Sequence, residues 1–77
     1  MTIELAREPS AVPPYQLRVR TEQAELDFRI NALWNYIQYG QPVQVDAAEY
    51  ARLLTQYRVM KLYSEILGER IANFPTN

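Results

Sequence analysis

The chain contains neither cysteine nor histidine. Without cysteine there is no disulfide, no thiolate metal site and no thiol nucleophile. Without histidine, a serine–histidine–aspartate triad, a zincin site and an imidazole general base are all excluded. The two glycines stand far apart, at positions 40 and 68, so no glycine-rich phosphate loop can form. Apolar runs reach only two or three residues, far short of a membrane span. The opening Met1-Thr2-Ile3-Glu4-Leu5 lacks the basic-then-apolar pattern of a signal peptide, and a cytoplasmic location is expected. Lysine is nearly absent too, with one against seven arginines. Eight basic and nine acidic residues leave a net charge of -1, the wrong balance for a generic DNA binder. What is present is 48% apolar and 22% charged residues in 77, the composition of one small globular domain. A chain this short buries only about 60% of its unfolded surface, so a lone copy is marginally stable.

The pattern predicts an all-α protein, an antiparallel two-helix hairpin with an extended N-terminal arm. Residues 1–13 form that arm, punctuated by Pro9 and Pro13. Pro14 suits a first helical position, where its missing N–H costs nothing. From there Val19, Leu26, Ile30, Leu33 and Ile37 step by seven, four, three and four, a seam broken only by Gln23. A helix over about 14–39 follows, with Gly40 expected in the left-handed position past its end and Pro42 blocking continuation. After a connection at 40–46, Asp46-Ala47-Ala48-Glu49 resembles a capping box. Tyr50, Leu53, Tyr57, Met60, Ser64, Leu67, Ile71 and Phe74 then alternate three and four, predicting a helix over about 47–74 before a tail at 75–77.

Each helix carries more apolar surface than one seam requires. Phe28, Ala32 and Tyr39 make a second row on the first helix; Val59, Tyr63 and Ile66 make another on the second. Two helices cannot cover both sets, so the hairpin is expected to assemble with further copies of itself into a helical bundle, as a dimer or tetramer.

Facing residues of such a hairpin have numbers that sum to about 86, if both helices rise equally. That register gathers Tyr15, Arg18, Glu22, Tyr63 and Arg70 at the open end. Guanidiniums fork onto phosphate oxygens, and both arginine and tyrosine stack on a planar base. The candidate ligand-binding residues are therefore Tyr15, Arg18, Gln56, Tyr63 and Arg70, with Gln56 reading a base edge. A purely structural reading competes: Arg18 pairs with Glu22, Arg70 crosses to Glu22, and Tyr63 is an interface aromatic. Arg52 has Glu49 within reach and Lys61 has Glu65, whereas Arg20 and Arg58 have no evident partner. Neither Glu22 with Glu25 nor Glu65 with Glu69 belongs to a catalytic or metal-binding motif. No enzymatic activity, metal or cofactor is expected.

The string Pro14-Tyr15-Gln16-Leu17-Arg18-Val19, followed by Glu22, Ala24-Glu25-Leu26 and Leu33, resembles a family of small helical hairpin proteins of crAss-like and other tailed phages. Gln56, Met60, Tyr63-Ser64, Ile66-Leu67 and Glu69-Arg70-Ile71-Ala72-Asn73-Phe74 extend the resemblance over residues 14–74. Residues 38–45 depart from the family pattern, which often has Phe before a Leu-Pro turn. The resemblance implies a viral or prophage origin, a helical hairpin and the host cytoplasm. Phages also use tiny oligomeric helical proteins as sponges for the cyclic oligonucleotide signals of immune systems such as CBASS. By that analogy the expected function is immune evasion by sequestering a purine cyclic dinucleotide, such as cyclic GMP–AMP, without catalysis. Two alternatives stay open. One is a protein-interaction module docking through Trp34, Tyr36 and Tyr39; the other is an oligomeric phage structural or assembly factor.

Overall fold

The computed structural model describes residues 12–40 and 45–75. Within them the architecture is a helical hairpin. Helix α1 spans Pro14–Asn35, a π-helical segment spans Tyr36–Gly40, and helix α2 spans Ala47–Ala72. The described residues contain no strand. The expected N-terminal arm and most of the connection lie outside the described residues, except that Val12 and Pro13 are non-helical.

Helix α1 begins without a side-chain cap. The Pro13 carbonyl accepts from the Gln16 and Leu17 amides at 3.0 and 3.2 Å, and Pro14 takes the first turn. The far end differs from the expected stop. Gly40 has no positive φ; it closes the π-helical segment that widens the last turn. Among the described residues a wider turn ends the α-helix with no left-handed residue, so glycine's conformational freedom is not used at Gly40.

Helix α2 starts on Asp46, whose Oδ1 accepts from the Glu49 amide at 2.8 Å. Only that half of a capping box forms. The Glu49 carboxylate instead accepts from Arg52 Nε at 2.8 Å, the one ion pair among the described residues. The helix ends at Ala72, two residues earlier than expected. Pro75 disfavours a helical Phe74, and the Phe74 ring folds back onto α1.

Val19, Leu26, Ile30 and Leu67 form the buried core, with Tyr57, Met60, Ile71 and Phe74 packed against it and Ile37 buried near the turn. The seam also takes in polar residues. Gln16, three residues before Val19, is only 4% exposed and donates to the Tyr15 hydroxyl at 3.1 Å. Gln23 crosses to the Ser64 carbonyl at 3.1 Å. It passes over Gly68, where a Cβ would lie 3.1 Å from its Nε2, so glycine here admits a close approach rather than a turn. At the α2 start the seam is carried by half-buried Leu53 and Leu54, and Tyr50 is exposed.

Candidate functional site

Cross-helix contacts fix which residues are level with each other. Tyr15 meets Phe74, Gln23 and Asp27 meet Ser64, and Trp34 meets Tyr57. Facing numbers therefore sum to about 90 rather than about 86, a shift of about one helical turn. Arg18 lies level with about residue 72 and Arg70 with about residue 20, so the two are about 3 Å apart along the axis.

The same contacts tell which helix sides share a face. At about 100° per residue, Asp27 and Trp34 lie on one side of the α1 seam, as do Tyr57, Lys61 and Ser64 on α2. The Ser64 hydroxyl donates to Asp27 Oδ1 at 2.5 Å, and the Trp34 and Tyr57 rings lie 4.9 Å apart, tilted by 31°. Those sides consequently form one broad face, which we call the aromatic face. Arg18, Glu22 and Arg29 lie on the other side of α1; Arg52, Gln56, Val59, Tyr63 and Arg70 lie on the other side of α2. This is the arginine face.

The expected cluster lies on the arginine face, and its members differ in their surroundings. Arg18 and Arg70 are exposed, and neither forms an ion pair or hydrogen bond among the described residues. The Arg18–Glu22 and Arg70–Glu22 pairs of the structural reading are not made. Tyr15 is held edge-on by Phe74, with centroids 5.5 Å apart and planes at 77°, and Gln16 anchors its hydroxyl; 44% of the residue remains exposed. Tyr63 is 41% exposed, seven residues or about 10 Å before Arg70. Gln56 lies about 21 Å from Arg70 along α2 and donates weakly to Met60 Sδ at 3.8 Å. Arg18, Arg70 and Tyr15 thus lie at one level of the open end on the same face, Tyr63 stands two turns away, and Gln56 stands four turns away within one copy.

Chemically, two guanidiniums at one level can fork onto a phosphate, and a tethered phenol beside them offers a ring edge or face to a base. No group of three or more metal-ligating side chains occurs among the described residues.

The aromatic face is differently occupied. A cleft of about 290 Å3 is lined by Asp27, Ile30, Asn31, Lys61, Ser64 and Glu65. Lys61 does not pair with Glu65; its ammonium lies 5.9 Å from the Tyr57 ring. Arg20 finds a partner that sequence spacing did not reveal, lying 5.9 Å from the Phe74 ring. Gln16 was missed as well. A signal existed, since 16 continues the three-four stepping of the seam, but its polar character masked it.

The comparisons with known proteins bear on this hairpin directly. A profile of the Sequestin family matches residues 13–73, both helices and the arginine face included. The chain belongs to the Sequestin family. A second similarity is to a protein of Enterobacteria phage T4 described as an uncharacterized 7.5 kDa protein in the denB–rIIB intergenic region. The two are 42% identical over 60 residues, covering 78% of this chain and 94% of that relative. This Sequestin member is therefore related to small phage proteins; a relation to crAss-like phages in particular rests on neither match. No solved structure matches. Among the described residues no helix is long and apolar enough to cross a membrane.

Proposed function

We propose that the protein is a phage sponge: it binds a purine nucleotide signal of bacterial antiviral defence, with cyclic dinucleotides the leading class, and holds it without chemical change. The observation that carries this reading is the pair Arg18 and Arg70, level on one face and without an acidic partner among the described residues. Uncompensated guanidiniums at one level of a face favour an anion, and arginine's planar fork fits a phosphodiester. Tyr15 and Tyr63 on the same face add rings for a base. The family's name speaks of sequestering. Absence of cysteine and histidine makes binding a better account than hydrolysis. In the host cytoplasm, tight binding and slow release would hold the free signal below its receptor's threshold.

Calorimetric titration with cyclic GMP–AMP, cyclic di-AMP and cyclic di-GMP tests the proposal. Nothing on the arginine face counts bases, so a single-purine pyrophosphate such as ADP-ribose belongs in the same series. The expected result is saturable binding of one of these, with the ligand recovered intact after heat denaturation. A recovered fragment would replace the sponge with a nuclease. No heat and no shift in melting temperature with any ligand would refute nucleotide binding.

The interaction-module alternative gains one observation, the 85% exposed Tyr39, and loses another. Trp34 is stacked on Tyr57 and so is partly committed within the hairpin. In that alternative Trp34→Ala and Tyr36→Ala abolish capture of a protein partner while nucleotide has no effect.

A further inference from the structure

Helix α2 carries an apolar stripe that the hairpin does not cover. Val59, Leu62, Tyr63 and Ile66 share one side, turned well away from the core, and are 60%, 57%, 41% and 46% exposed. Side chains of this size leave about 400 Å2 of apolar surface at such exposures, the size of the largest patch on a typical soluble chain, which is often a functional surface. With the usual polar share of an interface, that corresponds to about 700 Å2 per copy, close to the roughly 800 Å2 per partner of a stable complex.

Charge placement points to a second copy of the same chain. In an antiparallel pairing of α2 with its own copy, centred between Leu62 and Tyr63, facing numbers sum to about 125. Val59 then faces the partner's Ile66, and the stripe covers itself. Arg58 has Leu54 and Leu62 at its i±4 positions and no ion pair among the described residues. In this pairing it comes within two residues, about 3 Å along the axis, of the partner's Glu65 on the same flank. The contact forms twice by symmetry, as a two-fold interface requires.

The pairing also completes the anion site. We propose that two hairpins join antiparallel through this α2 stripe, and that each ligand site is built from Arg18 and Arg70 of one copy with Arg52 and Gln56 of the other. Gln56 stands about 21 Å from Arg70 within one copy, but the partner's Gln56 falls level with residue 69. The partner's Arg52 falls level with residue 73, on the same flank. A groove results with Arg70 and Tyr63 on its floor, α1 with Arg18 and Tyr15 as one wall, and the partner's α2 as the other. A chain of net charge -1 so gathers three guanidiniums at each of two sites, one of them, Arg52, arriving with Glu49 on its Nε and its other donors left to meet the ligand. The ligand half of this inference rests on the nucleotide-binding reading; the interface half does not.

The chain's lack of cysteine allows a direct test of the interface. Leu62→Cys, beside the two-fold axis, is expected to cross-link to its own copy under mild oxidation. Phe28→Cys, on the far side of α1, is the control and stays uncrosslinked. Val59→Glu with Ile66→Glu is expected to convert a dimer into a folded monomer, read by sedimentation equilibrium with circular dichroism. A parent chain that sediments as a monomer, or cross-linking of Phe28→Cys in place of Leu62→Cys, overturns the pairing.

Subunit mixing tests the composite site with whichever nucleotide the parent binds. Arg70→Ala and Arg52→Ala homodimers should each bind at least tenfold more weakly than the parent. Mixed and re-equilibrated, they form a heterodimer with one site carrying both changes and one site intact. Parent-like affinity should return at one of the two sites of each heterodimer, a quarter of all sites after equal random mixing. Binding by the parent without recovery on mixing would place the whole site within one copy and overturn the composite site alone. A cross-linked parent that binds none of the nucleotides would refute the ligand assignment and leave the interface standing.

Discussion

The two broad faces of the hairpin carry similar side-chain types and use them differently. On the aromatic face, polar and aromatic groups are tied to one another: Ser64 to Asp27, Trp34 to Tyr57, and Lys61 against the Tyr57 ring. On the arginine face, Arg18 and Arg70 touch no acid among the described residues, and Gln56 and Tyr63 lie open. A face whose groups satisfy one another needs nothing further and serves the fold. Arg52, on the same face, is paired with Glu49, so the cations without counter-charge are those at the open end, and these are poised for an external anion. Residue type alone does not separate the two cases; the partners do.

Substitutions on the two faces and on the seam between them can break that distinction. The largest effect is expected at Leu67, which is fully buried in the seam between the two faces. Leu67→Ala should cost about 2–5 kcal/mol, enough to unfold a marginal hairpin and abolish binding with it; urea melts read the loss. Trp34→Ala removes a half-exposed ring stack on the aromatic face. We expect about 1.5–2.5 kcal/mol of destabilisation, with nucleotide affinity of the remaining folded fraction unchanged. Arg18→Ala and Arg70→Ala should do the reverse. Melting stays within about 0.5 kcal/mol of the parent, while affinity falls at least tenfold in calorimetry. Should Trp34→Ala weaken binding as much as Arg70→Ala, the two faces would not be functionally distinct.

The smallest effects concern the glycines. At Gly68 an added Cβ would press on Gln23 and displace its bond to Ser64, whereas at Gly40 it would meet the Tyr36 ring at an ordinary 3.8 Å. Replacing glycine by alanine in a helix gains about 0.5–1 kcal/mol where space allows. Gly40→Ala is thus expected to raise the melting temperature slightly and Gly68→Ala to leave it unchanged or lower it. Equal gains at both positions would mean that the Gln23 crossing contributes nothing.

Much of the fold was legible because the stepping of Leu26, Ile30, Leu33, Ile37 by four, three and four, and of Tyr57, Met60, Ser64, Leu67 by three, four and three, encodes two facing helical seams. Asp46 announced the start of α2 by residue type alone. The end of α1 was not legible, because Gly40 reads the same in sequence whether it sits in a left-handed cap or closes a π turn. The register was off by about one turn because the connection length does not determine how the helices slide; side chains such as Gln23 and Ser64 do. For the candidate site, spacing could place Tyr15, Arg18 and Arg70 at one end. It could not show that Arg18 and Glu22 decline to pair, since i,i+4 spacing permits a pair without forming it. Gln56 suits a base edge by its chemistry, and only the distance along α2 reveals that one copy cannot deliver it to Arg70.

The most direct test of the central claim is chemical-shift mapping of the labelled protein during titration with the nucleotide that binds. The account predicts amide shifts centred on Tyr15, Arg18, Glu22, Tyr63 and Arg70, with Asp27, Asn31 and Lys61 silent. Shifts centred instead on the cleft of Asp27, Asn31, Lys61 and Ser64 would move the site to the aromatic face and contradict it.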